Sequence, residues 1–209
     1  MDVVLNWNLT LLKEEDRNGD DPRLQFAFLT TRHNRPITIG HRTELLLNQS
    51  GIAVFNGGVT APGGGEAPLA FSGSQTLPLP PTADAPYLGF AVRAIEEDNS
   101  DDDDRRLDFA GFVQSVQDIA DETPGGTPDV DALWLAANAQ GIRNEPFQDD
   151  DDKIGVSARV YPDFGARAAR AADGLSPGAL IDGVTELTSL TFQEQDAHWR
   201  MNVVLRAFA

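Results

Sequence analysis

Leu88-Gly89-Phe90-Ala91-Val92-Arg93-Ala94-Ile95-Glu96, followed at once by Glu97-Asp98-Asn99-Ser100 and the run Asp101 to Asp104, is the stretch on which the fold turns. Leu88, Phe90, Val92 and Ala94 alternate with Gly89, Ala91 and Arg93, the period-two pattern of a strand with one face against a core. The strand then runs straight into acid. The same order of events opens the chain, where Val4, Trp7, Leu9 and Leu11 lie in a roughly alternating segment, Val3 to Leu12, that ends in EEDRNGDDP. A further strand, Leu24 to Thr30, follows that charged turn. After QDDDDKIG, Ile154, Val156, Ala158 and Val160 alternate again, and strands near Leu187 to Phe192 and Trp199 to Phe208 close the chain beyond a small Ala/Gly-rich segment.

Between the second and third acidic runs the period changes. Phe109, Phe112, Val113, Val116 and Ile119 recur at helical spacing, which predicts a helix from about 102 to 121, with Asn99 or Ser100 as N-cap and Asp101 to Asp104 facing the positive end of the helix dipole. Thr127, with Pro128 at the first helical position, then Val130, Leu133, Trp134 and Ala137 and a stop at Gly141, predict a second, short helix. Elsewhere, Thr31 to Pro36 is basic and leads to a strand near Glu44 to Leu47. The Gly- and Pro-rich stretch from Asn56 to Pro81 reads as irregular loop with a strand around Leu69 to Phe71. The expected fold is mostly β, an antiparallel β-sandwich in one domain over 1–209, with a two-helix insertion at about 102–145. Trp7, Trp134 and Trp199 each sit on a patterned element and are expected in the core.

With 33 acidic against 16 basic residues, the formal charge is -17, which repels nucleic acid and anionic membranes unless a cation intervenes. The chain has no cysteine, which removes disulfides and thiolate zinc sites. The N-terminal segment lacks a basic n-region and meets Lys13-Glu14-Glu15 too early for a signal peptide or spanning helix, so a soluble protein is expected, its compartment unassigned.

The acidic runs lie at strand ends, where loops from one end of a sandwich converge. Hard cations such as calcium take six to eight oxygen ligands, and carboxylates gathered on neighbouring loops supply them while a bound cation relieves their repulsion. The candidate metal ligands are Asp16, Asp20 and Asp21, then Glu96, Asp98 and Asp101, then Asp150 and Asp152. A bland reading treats each run as a solvated face or salt adaptation. An EF-hand does not fit: counted from Asp16, glycine falls at the fourth position instead of the sixth and the twelfth is Ala27, and counted from Asp98 the twelfth is Phe109.

Three stretches resemble the C2 domain, a calcium-binding β-sandwich often used to dock on phospholipid. Asp16-Arg17-Asn18-Gly19-Asp20-Asp21-Pro22-Arg23-Leu24 resembles its first calcium loop running into a strand, which implies Asp16 and Asp21 as ligands. Leu88 to Asp98 resembles its strand ending in Asp-x-Asp, with Glu96 and Asp98 in the two acidic places, and Asp152-Lys153-Ile154-Gly155 resembles the segment closing the same loop. The two helices are then inserted in that third loop, which keeps Glu96, Asp98 and Asp152 neighbours in space. The sequence departs from the family pattern in a shorter first loop, in Glu96 for Asp, in Lys153 for a hydrophobic residue, and in lacking an Asn-Pro-x-Trp second-loop motif.

No catalytic constellation accompanies the acids. His33, His41 and His198 are isolated, Gly63-Gly64-Gly65 lacks a following Lys-Ser/Thr, and no nucleophile stands beside the carboxylates, so no enzyme is expected. The expected function is a calcium-binding module that engages a phospholipid surface or a protein partner through acidic loops, with no nucleic acid. The alternative is a structural or assembly protein, a surface-layer, appendage or virion component, whose fold and homo-oligomer contacts calcium or high salt stabilises.

Overall fold

Two sheets and two helices account for the layers of this chain in a computed structural model, which describes residues 1–13, 22–29, 52–54, 69–78, 87–96, 102–122, 127–139, 141–142, 152–194 and 197–209. In chain order the elements are β1 (Asp2–Lys13), β2 (Pro22–Leu29), β3 (Ile52–Val54), β4 (Leu69–Pro78), β5 (Leu88–Glu96), α1 (Asp102–Asp121), α2 (Val130–Ala139), β6 (Asp152–Tyr161), α3 (Phe164–Ala171), β7 (Leu180–Gln193) and β8 (His198–Phe208). The strands pair antiparallel in two four-stranded sheets, ordered β4-β1-β8-β7 and β3-β2-β5-β6. The chain is mostly β, as the alternating segments predict.

Alternation explains the sandwich. On β1, Val3, Leu5, Trp7, Leu9 and Leu11 are buried on one side, and on β8 their same-face neighbours are Trp199, Met201, Val203, Leu205 and Ala207. From the second sheet Leu24, Phe26 and Phe28 of β2 meet them, in register with Ala94, Val92 and Phe90 of β5. Trp7 and Phe26 bridge the layers with ring centroids 6.0 Å apart, and the aromatic contacts continue through Phe28, Phe90 and Tyr161 to Phe164 of α3. Each such ring or aliphatic side chain taken fully from water stabilises the fold by about 1.5–3 kcal/mol.

The second face of β2 and β5 is where the alternating pattern misleads. Period two implies one wet face, yet every residue of β2 and β5 is buried. Helix α1 packs on β2 and α2 on β5 and β6, making a third layer outside the second sheet. Phe109, Phe112, Val113 and Val116 of α1 and Leu133 and Ala137 of α2 join the same core cluster as the sandwich interior.

Helix α1 spans the interval its periodicity predicts. Helix α2 starts later than Thr127-Pro128 suggests, because Asp129 takes the N-cap: its carboxylate accepts from the Asp131 N–H at 2.7 Å and the Ala132 N–H at 3.2 Å. Trp134, expected in the core, is 40% exposed; its indole N–H donates to the Val156 carbonyl of β6 at 2.9 Å, so the ring covers an edge strand. The Ala/Gly-rich segment holds α3.

Strand β4 runs ten residues where the Gly/Pro content suggests a short piece. It lies at a sheet edge, where Pro78 at its end is tolerated. Gly73 is required there, since a Cβ would sit 2.4 Å from Cζ2 of Trp7. Strand β3 carries no clear sequence signal, and the strand expected near Glu44 to Leu47 lies outside the described residues.

Candidate functional site

Strand register sets the geometry of the acidic end. Pro22, the first residue of β2, is the Cα partner of Glu96, the last of β5, and Glu96 is in turn the partner of Asp152, the first of β6. Three strand ends therefore stand side by side at one margin of the second sheet. They are the ends from which the first, second and third acidic runs depart.

The first sheet ends at the same place. Lys13, which closes β1, pairs with His198, which opens β8, and His198 pairs with Gln193, the last residue of β7. Gly155 of β6 packs against this corner: a Cβ there would lie 3.4 Å from Cα and Cβ of Phe192. The ends of β1, β2, β5, β6, β7 and β8 thus share one end of the sandwich.

Of the candidate ligands, Glu96 and Asp152 are the described ones. Partners across an antiparallel pair point to the same side of the sheet, so the two carboxylates issue from adjacent strands on one face. Glu96 is only 2% exposed, whereas Asp152 is exposed. Two acids directly opposite repel each other, and a cation between them reverses the sign. Asp16, Asp20, Asp21, Asp98, Asp101 and Asp150 lie outside the described residues. Among the described residues, no group of three or more His, Asp or Glu is placed to hold a metal ion.

Sequence reasoning passes over Glu194. It stands in the β7–β8 hairpin, its N–H donating to the Ala197 carbonyl at 3.3 Å, and it is exposed at the acidic end. The available signal was an acidic turn, EQDA, between two alternating segments. Its charge reaches Lys153: burial lowers that ammonium's pKa below its usual value, repulsion from Arg93 lowers it further, and Glu194 opposes both. Lys153 donates to the Asn138 carbonyl at 2.7 Å, in the last turn of α2, where a cation complements the helix dipole. The strand face that carries Lys153 lies under the helical layer, and the ammonium ties that layer down.

Beneath α1 is a polar layer that the sequence did not announce. Arg93 is fully buried on the helix-facing side of β5, with Nε and Nη2 donating to Gln25 Oε1 at 2.9 and 2.6 Å and Nη2 to the Asp108 carbonyl at 3.2 Å. Its guanidinium lies over the Phe112 ring, 5.2 Å from the centroid. Burial pushes its pKa down to about 10, against the pull of Asp108 and with the push of Arg23. This arrangement clamps the insertion to the sheet directly behind the acidic strand ends.

No helix among the described residues is long and apolar enough to cross a membrane. No protein-family model, curated protein or solved structure matches the chain.

Proposed function

We propose that the chain is a C2-like calcium-binding module, with calcium held among the loops at the acidic end and used to engage a phospholipid or protein surface. What carries the reading is the register that sets Pro22, Glu96 and Asp152 side by side, so that acidic runs distant in sequence leave from adjacent strand ends. Glu96 and Asp152, which flank the two-helix segment, are Cα partners, which supports a second run that lies beside the third. In this reading Asp16, Asp21, Glu96, Asp98 and Asp152 are the ligands, with Asp20, Asp101 and Asp150 beside them. At the acidic end, anionic phosphate is met through the bridging cation, since the carboxylates alone repel it.

Titration calorimetry of calcium into the wild type and into Asp16→Ala, Asp98→Ala and Asp152→Ala tests the site. Heats in the wild type that weaken in each variant are expected; absent heats, or heats unchanged in all three, refute it. Cosedimentation with anionic liposomes, with calcium and with chelator, then tests the membrane partner. Calcium-driven light scattering without liposome pelleting assigns the site to assembly instead.

A further inference from the structure

The solvent face of the first sheet has a composition unlike the rest of the chain. Four consecutive rows of Cα partners cross it, through Val4, Asn6, Asn8 and Thr10 of β1, and none contains an acidic residue. One row, Ser72–Asn8–Asn202–Ser189, is amide and hydroxyl from edge to edge. Arg200 and Arg206 stand on the same face of β8, two and four residues on either side of Asn202, and both are exposed. In a chain with twice as many acids as bases, these four rows are locally cationic and otherwise neutral, with Thr10 buried and the exposed Asp2 bordering them in the row beyond Val4.

We infer that this face binds an acidic polysaccharide, a single chain of sugar rings carrying carboxylates. Six residues along a strand place the two arginine positions about 20 Å apart, so each can take a carboxylate on a different ring. The amides and hydroxyls between them both donate and accept, which matches sugar hydroxyls better than a second layer of charge would. Leu187, 75% exposed on β7, is the Cα partner of Val204 and gives the strip an apolar rib for the C–H face of a ring.

Charge decides against broader partners. A bilayer or a duplex laid on this face would bring dense anionic charge along the whole acidic end of the same sandwich, and repulsion is felt within the roughly 8 Å Debye length of physiological salt. A narrow chain confined to the strip meets that charge only at its Arg200 end, two residues from His198. The rows of this face contain none of Pro22, Glu96 and Asp152, so the inference does not depend on calcium.

The test is affinity electrophoresis through gels containing polygalacturonate, run with chelator. The wild type should be retarded, less so as salt rises, and a gel with an uncharged polysaccharide should retard it far less. Arg200→Ser with Arg206→Ser should weaken the apparent affinity on the order of tenfold, as the loss of charge-assisted contacts implies. Leu187→Asp, which adds a repelling charge on the same strip, should weaken it as well. Both changes fall on exposed side chains, and an unchanged thermal midpoint shows that each variant is folded. No retardation of the wild type, or equal retardation of folded variants, overturns the inference. Pelleting with anionic vesicles in chelator that the arginine variant abolishes, without any polygalacturonate effect, also overturns it in favour of a membrane.

Discussion

Replacing Arg93 tests the third layer of the fold, because two opposed terms of similar size meet at its guanidinium. Removing a charged group from water costs several kcal/mol per ion even after relaxation, and the fall of the Arg93 pKa to about 10 records that cost. Against it stand the bonds to Gln25 Oε1 and to the Asp108 carbonyl and the contact with Phe112. Arg93→Ala relieves the first term but strands the buried Gln25 Oε1, at about 1–3 kcal/mol, and opens a cavity beneath α1, whereas the Asp108 carbonyl keeps its intrahelical bond. The stranded acceptor and the cavity win, and a net loss of about 1–3 kcal/mol is expected. Arg93→Met with Gln25→Leu removes donor and acceptor together at similar volume, and should recover most of that loss. Urea denaturation of the three proteins measures the difference, and amide exchange in α1 shows whether the helix loosens before the sheets do. A single variant that loses less than about 1 kcal/mol, or a double variant no better than the single, would refute this account of the layer.

Gly73→Ala should cost about 1–3 kcal/mol in urea midpoint stability, since its Cβ must displace the buried Trp7 ring, and Trp7→Leu in the same chain should restore part of the loss. Trp134→Phe keeps the ring but removes the donor to the Val156 carbonyl; a loss of about 1 kcal/mol and faster amide exchange along β6 are expected. Tyr161 has its pKa raised above 10, by burial first and then by Glu186, so the folded chain holds its proton where the unfolded chain has lost it. Stability therefore falls as pH rises from 10 through the folded pKa, and Tyr161→Phe flattens that fall. The chain has two tyrosines, so ultraviolet titration of Tyr87→Phe isolates the Tyr161 phenol, and a midpoint at or below 10 contradicts the burial argument. Lys153 has the opposite sign: its pKa is lowered, so the wild type gains stability relative to Lys153→Met as pH rises from the lowered folded value towards 10.5, measured as the gap between urea midpoints at pH 7 and pH 10.

What the sequence discloses here depends on whether a residue's role is local. Phe109, Phe112, Val113 and Val116 mark one side of α1 by spacing alone, and the helix is found where they place it. Strands β1, β5, β6 and β8 declare themselves by alternation, because one side of each strand meets the sandwich interior. Arg93 does not declare itself. As the polar member of an alternating set it reads as solvent-facing, and only the packing of α1, set by contacts between residues far apart in the chain, makes it buried. Strand β4 is hidden for a related reason: Gly73 and Pro78 are penalties by propensity, yet one makes room for Trp7 and the other ends an edge strand. Helix α3, eight residues of Ala, Gly and Arg around Phe164, is too short for a period to show. At the acidic end, Glu96 and Asp152 were recognisable from their runs, whereas Glu194 was not, because a lone acid in a hairpin looks like any turn residue.

The helical layer and the acidic end are consequences of one register. β5 and β6 are neighbours, with Glu96 opposite Asp152, so whatever joins them must leave and return at the same point. A short turn would satisfy that connection, but it would leave Ala91, Arg93, Ile95, Ala27 and Leu29 on an open sheet face. That face carries the apolar Leu29 and Ile95 beside the fully buried Arg23, Gln25 and Arg93, and α1 and α2 fold back to cover it. Deleting residues 102–142 and closing the gap with glycines would therefore expose an apolar sheet surface while leaving the strand ends aligned. The expected product keeps β-type circular dichroism but self-associates, and adding Ile95→Thr and Leu29→Thr should reduce the association. A monomeric deletion product of undiminished stability would mean that the helices contribute nothing to the sheet they cover.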